Sequence, residues 1–424
     1  MREQLEQNIL DNPHDDAPRL IYADWLEEND ENDRAEFIRT QIALEDENLS
    51  TVDRQTLAQR ETELLEKYQR QWLGKLAPFL LDNEDDIRYD RAGNNCEFRF
   101  HRGFFEELQI GTLGFHLVNA IIQAPEMQWV QRFCVEFQTT EHEYQYRVDT
   151  KGDSSLLEGL PKKFNTEELL LLCPYLRNVR YLRIGENWDE ETGWTDSWCY
   201  WETVPKLVAK MPKLEELHLF CKDYDPEELF SLTTLPELRV LWSFHLGGMF
   251  RDYQAETGYV YPLEILANNT NFQNLETIRF HPHQSRESEY PEPGNYHNYR
   301  HLSYLPLDQV RYLLETPNLP KLRHLQLRLS DMGDEGCEAI AESGILKRLK
   351  ILDLRHGAIT DEGAKLLAEC PDLRNLERLD VNRNGLTQGG LELLRSTGIT
   401  VLGDDQQTPE ELEGRQYLTE GDFE

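Results

Sequence analysis

The chain has 424 residues, 39% of them apolar, and a formal net charge of −35. A charge of that sign and size argues against nucleic acid and anionic membranes as partners. No apolar run reaches the ~18 residues of a membrane-spanning helix.

The opening stretch, MREQLEQNILDNPHDDAP, is acidic and lacks an apolar signal core. Seven cysteines are dispersed without a C-x-x-C pair, the usage expected of reduced thiols, mostly core fillers, in a cytoplasmic protein. Residues 1–90 carry ten Lys/Arg against twenty-four Asp/Glu, a net charge of −14, and read as a small all-α domain. Arg2 to Leu10 predicts a short amphipathic helix broken at Asn12-Pro13. Asp15 and Asp16 can cap a second helix, with Pro18 in its first turn and Leu20, Ile21, Trp25 and Leu26 along it. A third helix is expected from about Asp33 to Leu44, and a fourth from about Val52 to Trp72.

Within this domain, PHDDAPRLIYADWLEENDENDRAEFIRTQIAL (13–44) resembles the bacterial repeat-companion domain. That signature reads roughly P-x-D-D-x-x-R-L-x-Y-A-D-W-L-E-E, then R-A-E-F-I-R-x-Q. Here it falls on Pro13, Asp15, Asp16, Arg19, Leu20 and Tyr22 to Glu28, then on Arg34 to Arg39 and Gln41. The family's Gly-Asp-Pro turn is replaced by Asn29 to Asp33. The resemblance implies a module placed before leucine-rich repeats, and it implies no known chemistry. Its acids could form a catalytic carboxylate set, but helix caps and salt bridges also explain them.

After an expected linker over 82–95, apolar residues recur irregularly. Phe105, Leu108 and Ile110 predict one strand, Leu117 to Ala124 a helix, and Val130, Phe133 and Val135 the next strand. The pattern resumes around Leu182 and Ile184, Leu217 and Leu219, Leu241 and Ser243, then Ile278 and Phe280. Insertions are expected after Leu182, Leu241 and Ile278.

From Leu319 the repeat becomes regular. Leu325, Leu352 and Leu379 are 27 residues apart, and so are Gly336, Gly363 and Gly390. The segments LPKLRHLQLRLSDMGDEGCEAI, LKRLKILDLRHGAITDEGAKLL and LRNLERLDVNRNGLTQGGLELL carry the leucine-rich repeat pattern. Asn384 is the motif's own Asn, while Ser330 and Gly357 stand at that place in the two earlier units. The long unit with a D-E-G helix start resembles the ribonuclease-inhibitor subtype. That resemblance implies an α/β solenoid over 91–402, a horseshoe with a parallel sheet on its concave face and helices outside. A last strand is expected at Ile399 to Leu402. Residues 403–424, with eight acids and one Arg, read as an acidic disordered tail.

The strand residues that alternate with the core set should line the concave face. Aligned by repeat, this face holds three acids against five arginines, with aromatic residues among them. Arg and aromatics dominate binding hot spots. The expected partner-binding set is Tyr181, Phe220, Trp242, Phe244, Arg279, His281, Arg328 and Arg355, for a protein or peptide. A blander reading has the rings covering the solenoid and the arginines solvated. Two other functions stay open: a regulatory inhibitor that occludes an enzyme's active site, and an enzyme with an unrecognised site in 1–90. Trp188, Trp194, Trp198 and Trp201 read better as anchors of their loop than as a partner-binding lip. His281, His283, His297 and His301 have individually weak metal spacings and read as a polar loop. No P-loop, G-x-S-x-G, H-E-x-x-H or G-x-G-x-x-G motif is present. Hence no catalytic, cofactor or metal residue is assigned.

Overall fold

A computed structural model describes residues 1–82, 96–138, 162–185, 201–222, 224–246, 261–281, 305–328, 330 and 332–413. The chain divides into two compact units, Met1–Tyr181 and Leu182–Glu424. Strand order follows chain order through an open sheet of 11 strands.

The first unit begins with α1 (Arg2–Asp11), α2 (Ala17–Glu28), α3 (Asn32–Leu44), α4 (Thr51–Leu73) and α5 (Ala77–Asp82). The first four match the expected helices closely. Pro18 lies in the first turn of α2, where its missing N–H costs nothing. Asp15 Oδ1 accepts the Ala17 N–H at 2.9 Å, whereas the Asp16 side chain makes no capping bond. Ser50 caps α4 by accepting from Asp53 N–H. Ile9, Tyr22, Ala23, Leu26, Ala35, Ile38 and Phe104 form the core of this bundle. Each fully buried large side chain there contributes roughly 1.5–3 kcal/mol.

A strand that the repeat pattern does not predict, β1 (Cys96–His101), pairs antiparallel with β2 (Phe104–Leu113). Arg102 and Gly103, both at positive φ, make the two-residue turn between them, a geometry that suits the right-handed twist of a hairpin. The hairpin turn is clamped by residues of the 13–44 segment. Gln41 Oε1 accepts the Gly103 N–H at 2.6 Å, and its Nε2 donates to Phe100 O at 3.1 Å. Arg102 donates to Pro13 O, and the fully buried Arg19 pairs with Glu106 at 2.8 Å. The motif residues Pro13, Arg19 and Gln41 therefore act as structural contacts. After β2 come α6 (Phe115–Gln123), β3 (Arg132–Gln138), parallel to β2, and α7 (Thr166–Leu170).

Strand β4 (Tyr181–Ile184) carries the chain into the second unit. Its later strands are β5 (Glu216–Lys222), β6 (Val240–Leu246), β7 (Thr277–Phe280), β8 (His324–Leu327), β9 (Ile351–Asp353), β10 (Arg378–Asp380) and β11 (Thr400–Leu402). From β5 to β11 each pairs parallel with the next. Leu217, Leu241, Ile278, Leu325, Leu352 and Leu379 share one row of the register and are buried. Connecting helices are short at first and longer from the fourth onward. They run from α8 (Val204–Val208), α9 (Pro226–Phe230) and α10 (Leu263–Asn268) to α11 (Leu307–Glu315), α12 (Gly333–Ser343), α13 (Asp361–Glu369) and α14 (Gln388–Arg395). The short helix α15 (Pro409–Glu413) follows β11. Residues 83–95 of the expected linker, the insertions at 186–200, 247–260 and 282–304, and residues 414–424 lie outside the described residues.

Ser243 occupies a core row where its neighbours are Leu and Phe. Its hydroxyl is bonded to Tyr224 and lies 2.8 Å from the Tyr261 hydroxyl, so the buried polar atom is satisfied. Asn384, also fully buried, supports the last turns. It donates to Leu354, Val381 and Asn382 carbonyls and accepts from Gly357 and Ile359 N–H, at 2.9–3.2 Å. Among the described residues the Ser330 hydroxyl at the equivalent place has no partner.

Candidate functional site

The alternate residues of β5 to β10 form rows on the other face of the sheet. His218, Trp242, Arg279, Gln326, Asp353 and Asp380 stand in one register row. Neighbouring strands lie about 4.8 Å apart, so large side chains in one row must touch.

They do so as a chain of specific contacts. The Trp242 ring is met by His218 at 5.4 Å and, edge-on, by Phe220 at 4.9 Å. The Arg279 guanidinium sits 3.7 Å from the same ring centroid, a cation–π stack. Its Nε donates to Gln326 Oε1 at 2.9 Å. Arg328 donates to Asp353 at 3.2 Å, and Arg355 reaches Asp353 at 2.6 Å and Asp380 at 3.2 Å. Asp353 and Asp380 are buried, as is Arg328. Burial pushes the Asp353 carboxyl up to about 7; the charge of Asp380 adds to the rise and Arg328 opposes it. Three arginines against two aspartates leave this cluster with an excess positive charge in a chain of −35.

The expected partner-binding residues fall into distinct environments. Arg279 and Arg355 are half-buried and reach solvent. Trp242, His281 and Arg328 are buried, and Phe220 is 0% exposed. These four support the face and present little surface of their own. Phe244 pairs with Phe220 in the register, and its side chain lies outside the described residues. Tyr181 belongs to the first unit, where the Arg132 guanidinium sits 3.4 Å from its ring centroid. Trp201 is fully buried; Trp188, Trp194, Trp198, His283, His297 and His301 lie outside the described residues. Gln326, Asp353 and Asp380, which fix the arginines, were legible only as row members.

Among the described residues no group of three or more His, Cys, Asp or Glu could hold a metal ion, and no helix is long and apolar enough to cross a membrane.

A family model described as Leucine Rich repeat matches residues 318–341, 348–368 and 372–394. These are the three regular units of the 27-residue spacing. No curated protein sequence matches the chain. Among solved structures, a protein from Bacteroides fragilis is 16% identical, with TM-score 0.39, over 69% of this chain and 71% of that one. An internalin from Listeria monocytogenes is 12% identical, with TM-score 0.26, over 70% and 86%. A chain in the crystal structure of the yeast Rad7–Elc1 complex is 15% identical, with TM-score 0.34, over 90% and 94%.

Proposed function

We propose that the protein is a non-catalytic interaction scaffold whose second unit binds a protein or peptide on the sheet face bearing Arg279 and Arg355. Leucine-rich repeat proteins generally act as protein-interaction scaffolds, and stacked repeats offer extended binding surfaces. The observation that carries the reading is how these two guanidiniums are held. Arg279 is fixed between Trp242 and Gln326, and Arg355 between Asp353 and Asp380. Side chains held in place before binding lose less freedom on association, which favours affinity. A guanidinium that reaches solvent favours a carboxylate, so the partner segment carries acidic residues.

The experiment is affinity capture with the intact chain, then titration of the captured partner against Arg279→Glu and Arg355→Gln. Both variants are first checked for an unchanged melting transition. The expected result is at least a tenfold loss of affinity in Arg279→Glu. Equal capture by wild type and both variants would overturn this placement.

A further inference from the structure

The first unit contains a cavity of about 470 Å³, within the ordinary size range of small-molecule sites. Arg34, in the first turn of α3, lines it. Its guanidinium is surrounded by aromatic rings: 4.6 Å from the Trp72 centroid, 5.6 Å from Phe104, 5.7 Å from Phe37 and 5.9 Å from Phe100. Its Nη1 is sealed from solvent without a hydrogen-bond partner. Burial pulls its pKa down to about 10, so it stays charged at neutral pH.

Nearby charges have partners. Arg2 pairs with Glu6 and Glu31, and Asp33 accepts from the Tyr68 hydroxyl. An unsatisfied buried donor costs roughly 1–3 kcal/mol, more when charged, and aromatic faces offset only about 1–2 kcal/mol of that. The same cavity wall holds a second unsatisfied group of opposite sign, Glu126 Oε2. Its carboxyl lies against Gly74, where a Cβ would sit 2.3 Å from Oε1. The lining carries five carboxylates and two arginines, a field that repels a simple anion. An orphaned guanidinium in an acid-lined, ring-walled cavity is complementary to a molecule carrying both signs.

We propose that this cavity binds a small zwitterion of the α-amino acid or dipeptide class, its carboxylate on the cavity-facing edge of the Arg34 guanidinium and its ammonium on the acidic wall at Glu126. The rings of Trp72 and Trp129 pack against the rest of the ligand. Neither the scaffold role nor the sheet face of the second unit enters this assignment.

The test is calorimetric titration of the full chain with glycine, phenylalanine and glycyl-phenylalanine, and with acetate and ethylammonium as single-charge controls. A zwitterion is expected to bind saturably, and each control at least tenfold more weakly. The choice among glycine, phenylalanine and the dipeptide sets the ligand's size. Arg34→Gln is expected to weaken binding at least tenfold. Because that change touches the aromatic cage, Glu126→Gln, at a half-exposed position, serves as the second variant, with a several-fold loss expected and an unchanged melting transition. No saturable binding by any zwitterion at millimolar concentration would overturn the proposal. So would acetate binding as well as phenylalanine, or both variants binding like wild type.

Discussion

Replacing Asn384 with Ala tests whether one side chain holds the last repeat together. The substitution removes five hydrogen bonds to backbone groups of three segments: Leu354, Gly357 with Ile359, and Val381 with Asn382. The two N–H donors that it served point into a buried site. Each costs roughly 1–3 kcal/mol when orphaned. The three carbonyls add less, since a carbonyl has a second lone pair to place. The expected loss is about 3–6 kcal/mol, confined to the C-terminal repeats because each repeat contacts only its neighbours. Asn384→Asp keeps the acceptor oxygen but loses the amide donors and buries a charge, so it is expected to be at least as damaging at neutral pH. The assay is amide hydrogen exchange across 350–402, with denaturant titration of the intact chain. Protection of the Gly357 and Ile359 amides that changes by less than a factor of ten in Asn384→Ala would refute the reasoning.

Gly363→Ala is expected to destabilise α13 by about 1–3 kcal/mol through overpacking, since its Cβ would lie 2.4 Å from Asp334 Oδ1. Thermal denaturation checks it, and an unchanged midpoint would count against the contact. Asp353→Asn is expected to flatten the pH dependence of stability. The carboxyl rises from 3.8 to about 7 on folding, so the folded chain keeps a proton that the unfolded chain releases. Wild-type stability should therefore fall as pH rises from about 4 to 7 and level off above that. Coincident wild-type and variant curves over pH 4–8 would exclude this role.

Much of the second unit was legible because burial imposes a period. A 27-residue spacing at Leu325, Leu352 and Leu379 can arise only if equivalent residues meet equivalent neighbours, and the register places them in one row. The reason for the repeated glycines was not legible, because it is a contact between units. Asp334 accepts from Thr360 and Gly363 N–H, and Asp361 from Thr387 N–H, so an acid in one repeat caps the helix of the next. Gly363 and Gly390 leave room for those carboxylates. Read within a single repeat, the same acids show only the favourable end of a helix dipole. Strand β1 escaped for the opposite reason: it is local and non-repeating. The alternation in CEFRFH and the Arg102-Gly103 turn were its only signals.

The site was half legible. Alternation fixes which residues leave the core, and from β5 to β10 the register brings His218, Trp242, Arg279, Gln326, Asp353 and Asp380 into one row. It does not say which of those residues reach water, because the outcome depends on side-chain reach across about 4.8 Å between strands. Trp242 spans that gap and is covered by His218, Phe220 and Arg279. Arg328 folds onto Asp353, whereas Arg355, two residues further from Asp353, bridges two aspartates and stays partly exposed. Truncating Phe220 or Trp242 would therefore disturb packing and binding together, and a lost partner would not separate the two. Arg279 separates them once stability is checked: its guanidinium reaches solvent, so reversing its charge changes what a partner meets, and an unchanged melting transition shows that the strands still hold.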